Sequence, residues 1–189
     1  MPHLRTATVG DLPAAADTLA RAFADYAWTT WTVAPDRHLD RIRDIQLLCL
    51  EHIAMPHGLV VVNDDLTGVI ALTSPSAPVH VPTEVWELIQ TTAGDAPAND
   101  SEYSLPASPV PGSWELATLG VHPDTQGAGL GTALITHALQ TLDTTTGHRT
   151  PVHLETSEPR NVDLYLRHGF TTHAETRGRG PTVWSMQRR

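Results

Sequence analysis

The residues from Glu115 to Thr132, Glu-Leu-Ala-Thr-Leu-Gly-Val-His-Pro-Asp-Thr-Gln-Gly-Ala-Gly-Leu-Gly-Thr, read as a strand, a glycine-rich loop and the start of a helix. Glycines at 127, 129 and 131 leave backbone N–H groups uncovered, and a helix beginning near Gly129 or Leu130 aims its positive end at the same point. Such a loop can hold a pyrophosphate with no cationic side chain. That matters here because all 12 basic residues are arginine. A chain without lysine has no Schiff-base amine, no lysine nucleophile and no phosphate loop of the G-x-x-x-x-G-K-[ST] kind. A dinucleotide fingerprint fits less well, because the spacing is G-x-G-x-G rather than G-x-G-x-x-G. Glu155 does follow Gly131 by 24 residues, but the loop lies two-thirds of the way along the chain and leaves little room for a second nucleotide-binding half.

Around this loop stand groups that could move protons. Glu115 opens the strand before the loop, and Glu155 sits between Leu154 and Thr156. A carboxylate inside an apolar strand is costly to bury without a partner or a task. Either could accept a proton from an amine, the alternatives being a solvated strand end or a substrate anchor. On a regular strand Glu115 shares a face with Ala117, Leu119 and Val121, although a bulge would break that parity. Tyr26, Trp28 and Trp31 cluster ahead of Pro35 as a packed loop or a binding wall. Asn161, after Pro159, is a helix-cap candidate. His122 belongs to a Val-His-Pro turn, and Cys49 falls on an apolar helical face as a small core residue. The 11 histidines show no metal-ligand spacing, so no metal is expected.

The elements that must position these groups follow from periodicity. Residues 4–9 suit a short strand. A helix follows, with Asp11 as N-cap, Pro13 in its first turn and Leu12, Ala15, Ala16, Leu19 and Phe23 on one face. From Asp36, Leu39, Ile42, Gln46, Cys49, Leu50 and Ile53 predict a second amphipathic helix to about residue 54, ended by Pro56 and Gly58. Residues 58–63 and 66–73 read as a hairpin about an acidic turn. Residues 75–112, dense in proline, predict a loop-rich insertion over a site, with a short helix at 84–90. Strands at 114–121, 152–156, 170–174 and 183–186 and helices at 129–142 and 161–168 complete a mixed α/β domain of one core, residues 1–189.

The net charge of -9, with no arginine-rich run, argues against nucleic acid and an anionic membrane and suits a cationic small molecule. The N-terminus has no apolar leader, no apolar run approaches the roughly 20 residues of a bilayer span, and the lone Cys49 forms no internal bridge. A cytoplasmic protein is the expectation.

Gln126-Gly-Ala-Gly-Leu-Gly131, preceded by Val121-His-Pro123 and followed by Tyr165-Leu-Arg-His-Gly-Phe170, resembles the paired signatures of the GCN5-related N-acetyltransferases (GNAT). Further stretches are similar to the puromycin N-acetyltransferase branch, among them Ala22-Phe-Ala-Asp-Tyr26, Pro35-Asp-Arg-His38, Leu154-Glu-Thr-Ser157, Pro159-Arg-Asn161 and Gly180-Pro181 with Trp184 and Met186. The resemblance spans nearly the whole chain and thins out over 75–112. It implies an α/β (α+β) GNAT fold, with a mixed, mostly antiparallel sheet splayed at its centre and flanked by helices. It implies acetyl-CoA as donor and coenzyme A as product, with no metal.

By position, the resemblance assigns the coenzyme to the loop Gln126, Gly127, Ala128, Gly129, Leu130, Gly131 and Thr132, to the backbones of Leu119 and Val121, and to Asn161. It assigns Tyr165 as general acid and Glu115, eleven residues before Gln126, as general base, while Glu155, from its place between Leu154 and Thr156, is the rival base or a substrate anchor. In the puromycin branch an aromatic residue stands where this chain has Glu115, so either the base differs or Glu115 meets the substrate's charge. Tyr26, Trp28 and Trp31 occupy the family's acceptor wall and suit a cationic, ring-bearing amine. The implied activity is direct transfer, without an acetyl-cysteine, to a primary amine of a small molecule such as an antibiotic, aminonucleoside or biosynthetic intermediate. A protein Nα-terminal acetyltransferase and a catalytically silent acyl-CoA-binding module are the alternatives. A homodimer is the alternative to a monomer.

Overall fold

The structure, a computed structural model, describes residues 2–100 and 104–189. β1 (Leu4–Thr6) leads into α1 (Leu12–Phe23), which buries Leu12, Ala15, Ala16 and Leu19. Asp11 is the N-cap by position, but its side chain does not cap α1. Its carboxylate instead accepts hydrogen bonds from Arg5 and from the Thr8 amide at 2.7 Å. The expected loop at 26–35 contains a helix, α2 (Ala27–Thr32), whose threonines turn their hydroxyls back onto the carbonyls of Tyr26 and Trp28.

α3 (His38–Cys49) buries Ile42, while Leu39, expected on the apolar face, is exposed. It runs into a π-helical turn (Leu50–Ala54) and a last turn, α4 (Met55–His57). A π turn adds one residue per turn, which a 3.6-residue period cannot register. β2 (Gly58–Asn63) and β3 (Gly68–Thr73) form the expected hairpin. The 75–112 stretch is more helical than expected, with α5 (Ala77–His80) and α6 (Thr83–Ala93). β4 (Trp114–Val121), α7 (Leu130–Thr146), β5 (Val152–Thr156), α8 (Pro159–Arg167), β6 (Thr171–Thr176) and β7 (Val183–Arg188) follow.

The seven strands lie in the order β1-β2-β3-β4-β5-β7-β6. Every pairing is antiparallel except β4 with β5, which the α7 crossover makes parallel. That pair is joined only at Trp114↔Val152 and Glu115↔His153, so the two strands diverge beyond their first residues and the sheet opens at its centre. One face packs Ile70, Leu72, Leu116, Leu154 and Met186 under α7 and α8. The other packs Val60, Val62, Val69 and Ala71 under α1 and the π turn.

β4 carries a bulge. Ala71 pairs with Thr118 and Leu72 with Leu116, which leaves Ala117 as the extra residue. The expected shared face of Glu115, Leu119 and Val121 is therefore overturned. Leu116 packs in the α7-side core with Leu119 and Val121 against it. Glu115 falls on the opposite face with Thr118 and Gly120, where a Cβ at Gly120 would press on Leu19 of α1 at 2.7 Å.

Candidate active site

The opening between β4 and β5 is flanked by two cavities. One, of about 410 Å3, follows the distal half of β4 to the glycine-rich loop. Gly127 and Gly129 both adopt φ +82, the left-handed region natural to glycine, and nothing lies within 4 Å of a Cβ built at either. Gln126 folds back, its Nε2 donating to the Val121 carbonyl at 3.0 Å. The first α7 amide to bond back along the chain is that of Ala133, to Gly129. The preceding amides of the first turn have no intrahelical acceptor and face an anion-sized space at the positive end of a 17-residue helix. Leu119, Val121, Gln126, Gly127, Gly129, Leu130, Gly131, Thr132 and Asn161 all line this cavity, and Ala128 does not. Arg160 and Arg167 of α8 also line it. Neither arginine stood out in the sequence, because only the direction of α8 brings them opposite the loop.

The second cavity, of about 310 Å3, lies on the α1 side and is walled by Phe23, Tyr26, Trp28, Glu115, Glu155 and Tyr165, with Leu105 of the 75–112 segment at its edge. Trp31 is not in the wall. It packs edge-on against Trp28, with ring centroids 5.4 Å apart, and its other surface lies against Gly180. The Tyr26 hydroxyl accepts the Ser157 amide at 2.8 Å and lies 2.9 Å from Thr156 Oγ1, which ties the wall to the end of β5. Asn161 lies inside α8, whose N-cap is Glu158, so the cap expectation fails. Its Nδ2 donates to Thr156 Oγ1 at 3.4 Å, and it reaches both cavities.

Tyr165 also borders both cavities. It is 5% exposed, packs edge-on against Phe170, and is held protonated well above the ordinary tyrosine range by burial, with Tyr26 nearby adding to the effect. Across the cavity, Glu115, His153 and Glu155 each bring one polar atom to within 4.8 Å of the others. Glu155 is pushed up to about 7, first by burial and then by the charge of Glu115. Thr73 Oγ1 donates to Glu115 Oε2 at 3.4 Å. The sequence marked the two carboxylates but not His153, which only the parallel β4–β5 register brings alongside. Cys49 is half-buried, and burial together with the Glu115 charge pushes its thiol up to about 11, so it is not a thiolate nucleophile at neutral pH. His122 Nδ1 accepts the Asp124 amide at 3.3 Å and caps the turn before the loop.

Residues 92–172 match the family model of the acetyltransferase (GNAT) domain. The fold is that of solved GNAT acetyltransferases. A histone acetyltransferase HPA2 and related acetyltransferase from Corynebacterium glutamicum superposes with a TM-score of 0.73 at 23% identity, over 99% of this chain and 95% of that one. The PaiA N-acetyltransferase of Thermoplasma acidophilum, solved with coenzyme A, gives 0.57 at 13% identity over 100% and 99%. YncA from Salmonella typhimurium, solved with its cofactor acetyl-CoA, gives 0.55 at 19% over 99% and 92%.

Proposed function

We propose that this chain, whose residues 92–172 match the family model of the acetyltransferase (GNAT) domain, is an acyltransferase that transfers the acetyl group of acetyl-CoA to a primary amine of a small molecule, within a ternary complex. The observation that carries this reading is the position of Tyr165 on the wall common to both cavities. The glycine-rich loop and the α7 amides would hold the pyrophosphate, helped by Arg160 and Arg167. The pantetheine arm would lie along the open edge of β4 toward the second cavity. There the carboxylates and the faces of Phe23, Tyr26 and Trp28 suit a cationic, ring-bearing acceptor, aminonucleosides included. The size of the cavity and the presence of Leu105 at its edge support a small acceptor over a peptide N-terminus.

An acceptor R–NH3+ gives one proton to a cavity carboxylate, and the freed lone pair forms the C–N bond at the thioester carbonyl. The resulting tetrahedral species loses a second proton from nitrogen as the C–S bond breaks. The departing sulfur takes a proton from Tyr165, which is restored by the one nitrogen released, so that each turnover yields amide, free thiol and one proton. Mixing the protein with acetyl-CoA and a panel of amines while following free thiol tests this. Thiol release with at least one small amine is expected, and none with any amine overturns it. Tyr165→Phe is expected to lower kcat about 100-fold while changing coenzyme affinity far less, and unchanged turnover would remove the general-acid role.

A further inference from the structure

We infer that Glu155 is the group that takes the acceptor's proton, and that Glu115, the family-position carboxylate, is instead a positioning residue that keeps Glu155 basic. The inference rests on the acetyltransferase reading and chooses between the two carboxylates within it.

The geometry carries it. The bulge at Ala117 places Glu115 on the α1 face, beside His153 where β4 and β5 are still paired. Glu155 stands two residues further along the same face of β5, past the last residue paired with β4, where the sheet is open. The polar atoms of Glu115, His153 and Glu155 converge within 4.8 Å, and among the described residues no arginine lines this cavity to offset the two carboxylates. Like charges this close in a partly buried cleft do not both ionise freely, so one keeps the charge and the other takes protons. The Thr73 hydroxyl donates to the Glu115 carboxylate, and among the described residues no hydrogen bond reaches the Glu155 carboxylate. A carboxylate already held by a donor is the weaker base. The acceptor's proton therefore comes and goes on Glu155.

The groups facing the pair bear this out element by element. Cys49 of α3 stays a neutral thiol, and Tyr165 of α8 stays a neutral phenol. The Tyr26 hydroxyl is engaged with Thr156 and the Ser157 amide. Among the described residues His153 Nδ1 is buried without a hydrogen-bond partner, and His173 of β6, near His153, is held below the ordinary histidine range, first by burial and then by His153. In each cycle R–NH3+ transfers one proton to Glu155, leaving R–NH2 to attack, and Glu155 returns that proton to solvent before the next acceptor binds.

The test uses the full chain labelled with 13C at glutamate side-chain carboxyls, titrated by NMR, alongside the pH dependence of kcat/KM. Glu155 is expected to titrate at about 7, with the acid limb of kcat/KM at the same pH. In Glu115→Gln both are expected to fall by about one pH unit or more, and in Glu115→Asp to return toward the parent values. Glu155→Gln is expected to lose about 100-fold in kcat with a smaller change in KM. A Glu155 midpoint unmoved in Glu115→Gln, or full turnover in Glu155→Gln, overturns the inference. A chain that titrates as expected but releases no thiol at any pH overturns acetyl transfer itself. Thiol release with an unmoved acid limb overturns only the assignment of Glu155.

Discussion

Glu155 works against the fold that holds it. Its carboxyl is raised from an ordinary 4.5 to about 7 by burial and by Glu115. A carboxyl raised in the folded state contributes stability that is complete below the unfolded value and is lost as pH rises through the folded one. Above pH 7 the native state therefore carries a charge that the unfolded chain would solvate better. Glu155→Gln is expected to raise Tm at pH 8 by a few degrees, on the order of 2 kcal/mol, and by much less at pH 5. Calorimetry giving equal gains at both would contradict this. Asp11 and Asp143 have the opposite sign. Arg5 and the Thr8 backbone and hydroxyl hold Asp11 well below the usual range. Burial pushes Asp143 up, but the Arg188 guanidinium and the Thr150 amide outweigh it. Both contributions are present at neutral pH and are lost as pH falls through the depressed values, so the chain loses stability at the acid end for reasons unrelated to Glu155.

At the scale of elements, the proposed phosphate site belongs to a backbone conformation more than to any side chain. Gly129 holds φ +82, and among the described residues an added methyl meets no atom, so its cost is conformational, about 1–2 kcal/mol. Gly129→Ala is expected to weaken coenzyme binding about tenfold by calorimetry, and Arg160→Ala to weaken it less. A larger loss in Arg160→Ala would shift the phosphate site from loop to side chain. This loop was legible in the sequence because glycine spacing reports backbone conformation directly. The strand before it and β5 were legible to the residue, and the hairpin nearly so, because alternation and β-branched runs mark strands. What the sequence hid was set by neighbours. The Ala117 bulge exists only relative to β3, His153 meets Glu115 only through a parallel register, and the π turn at Leu50–Ala54 looks like ordinary helix to a periodicity count. Tyr26 to Pro35 reads as a packed loop or a binding wall because three aromatics in a stretch that ends in proline break the helical period. α2 forms there with its threonine hydroxyls bonded to its own and neighbouring carbonyls.

At the scale of the molecule, the charge of -9 and the carboxylates of the proposed acceptor cavity have the same sign. A cationic amine is drawn toward such a surface, and salt screens that attraction beyond roughly 10 Å at 0.1 M. kcat/KM for a cationic acceptor is expected to fall steadily with ionic strength while kcat stays nearly constant, and a salt-independent kcat/KM would show that long-range charge has no part in capture. Among the described residues no helix is long and apolar enough to cross a membrane. The contact of Gly180 with Trp31 reaches across the same molecule. A methyl group at position 180 would come within 2.8 Å of the Trp31 ring, and Trp31 backs Trp28 in the cavity wall. A position that touches neither donor nor acceptor is thereby a lever on acceptor selectivity. Gly180→Ala should change the ranking of amines without changing coenzyme affinity, and divergence of this chain toward new acceptors could begin in the loop between β6 and β7.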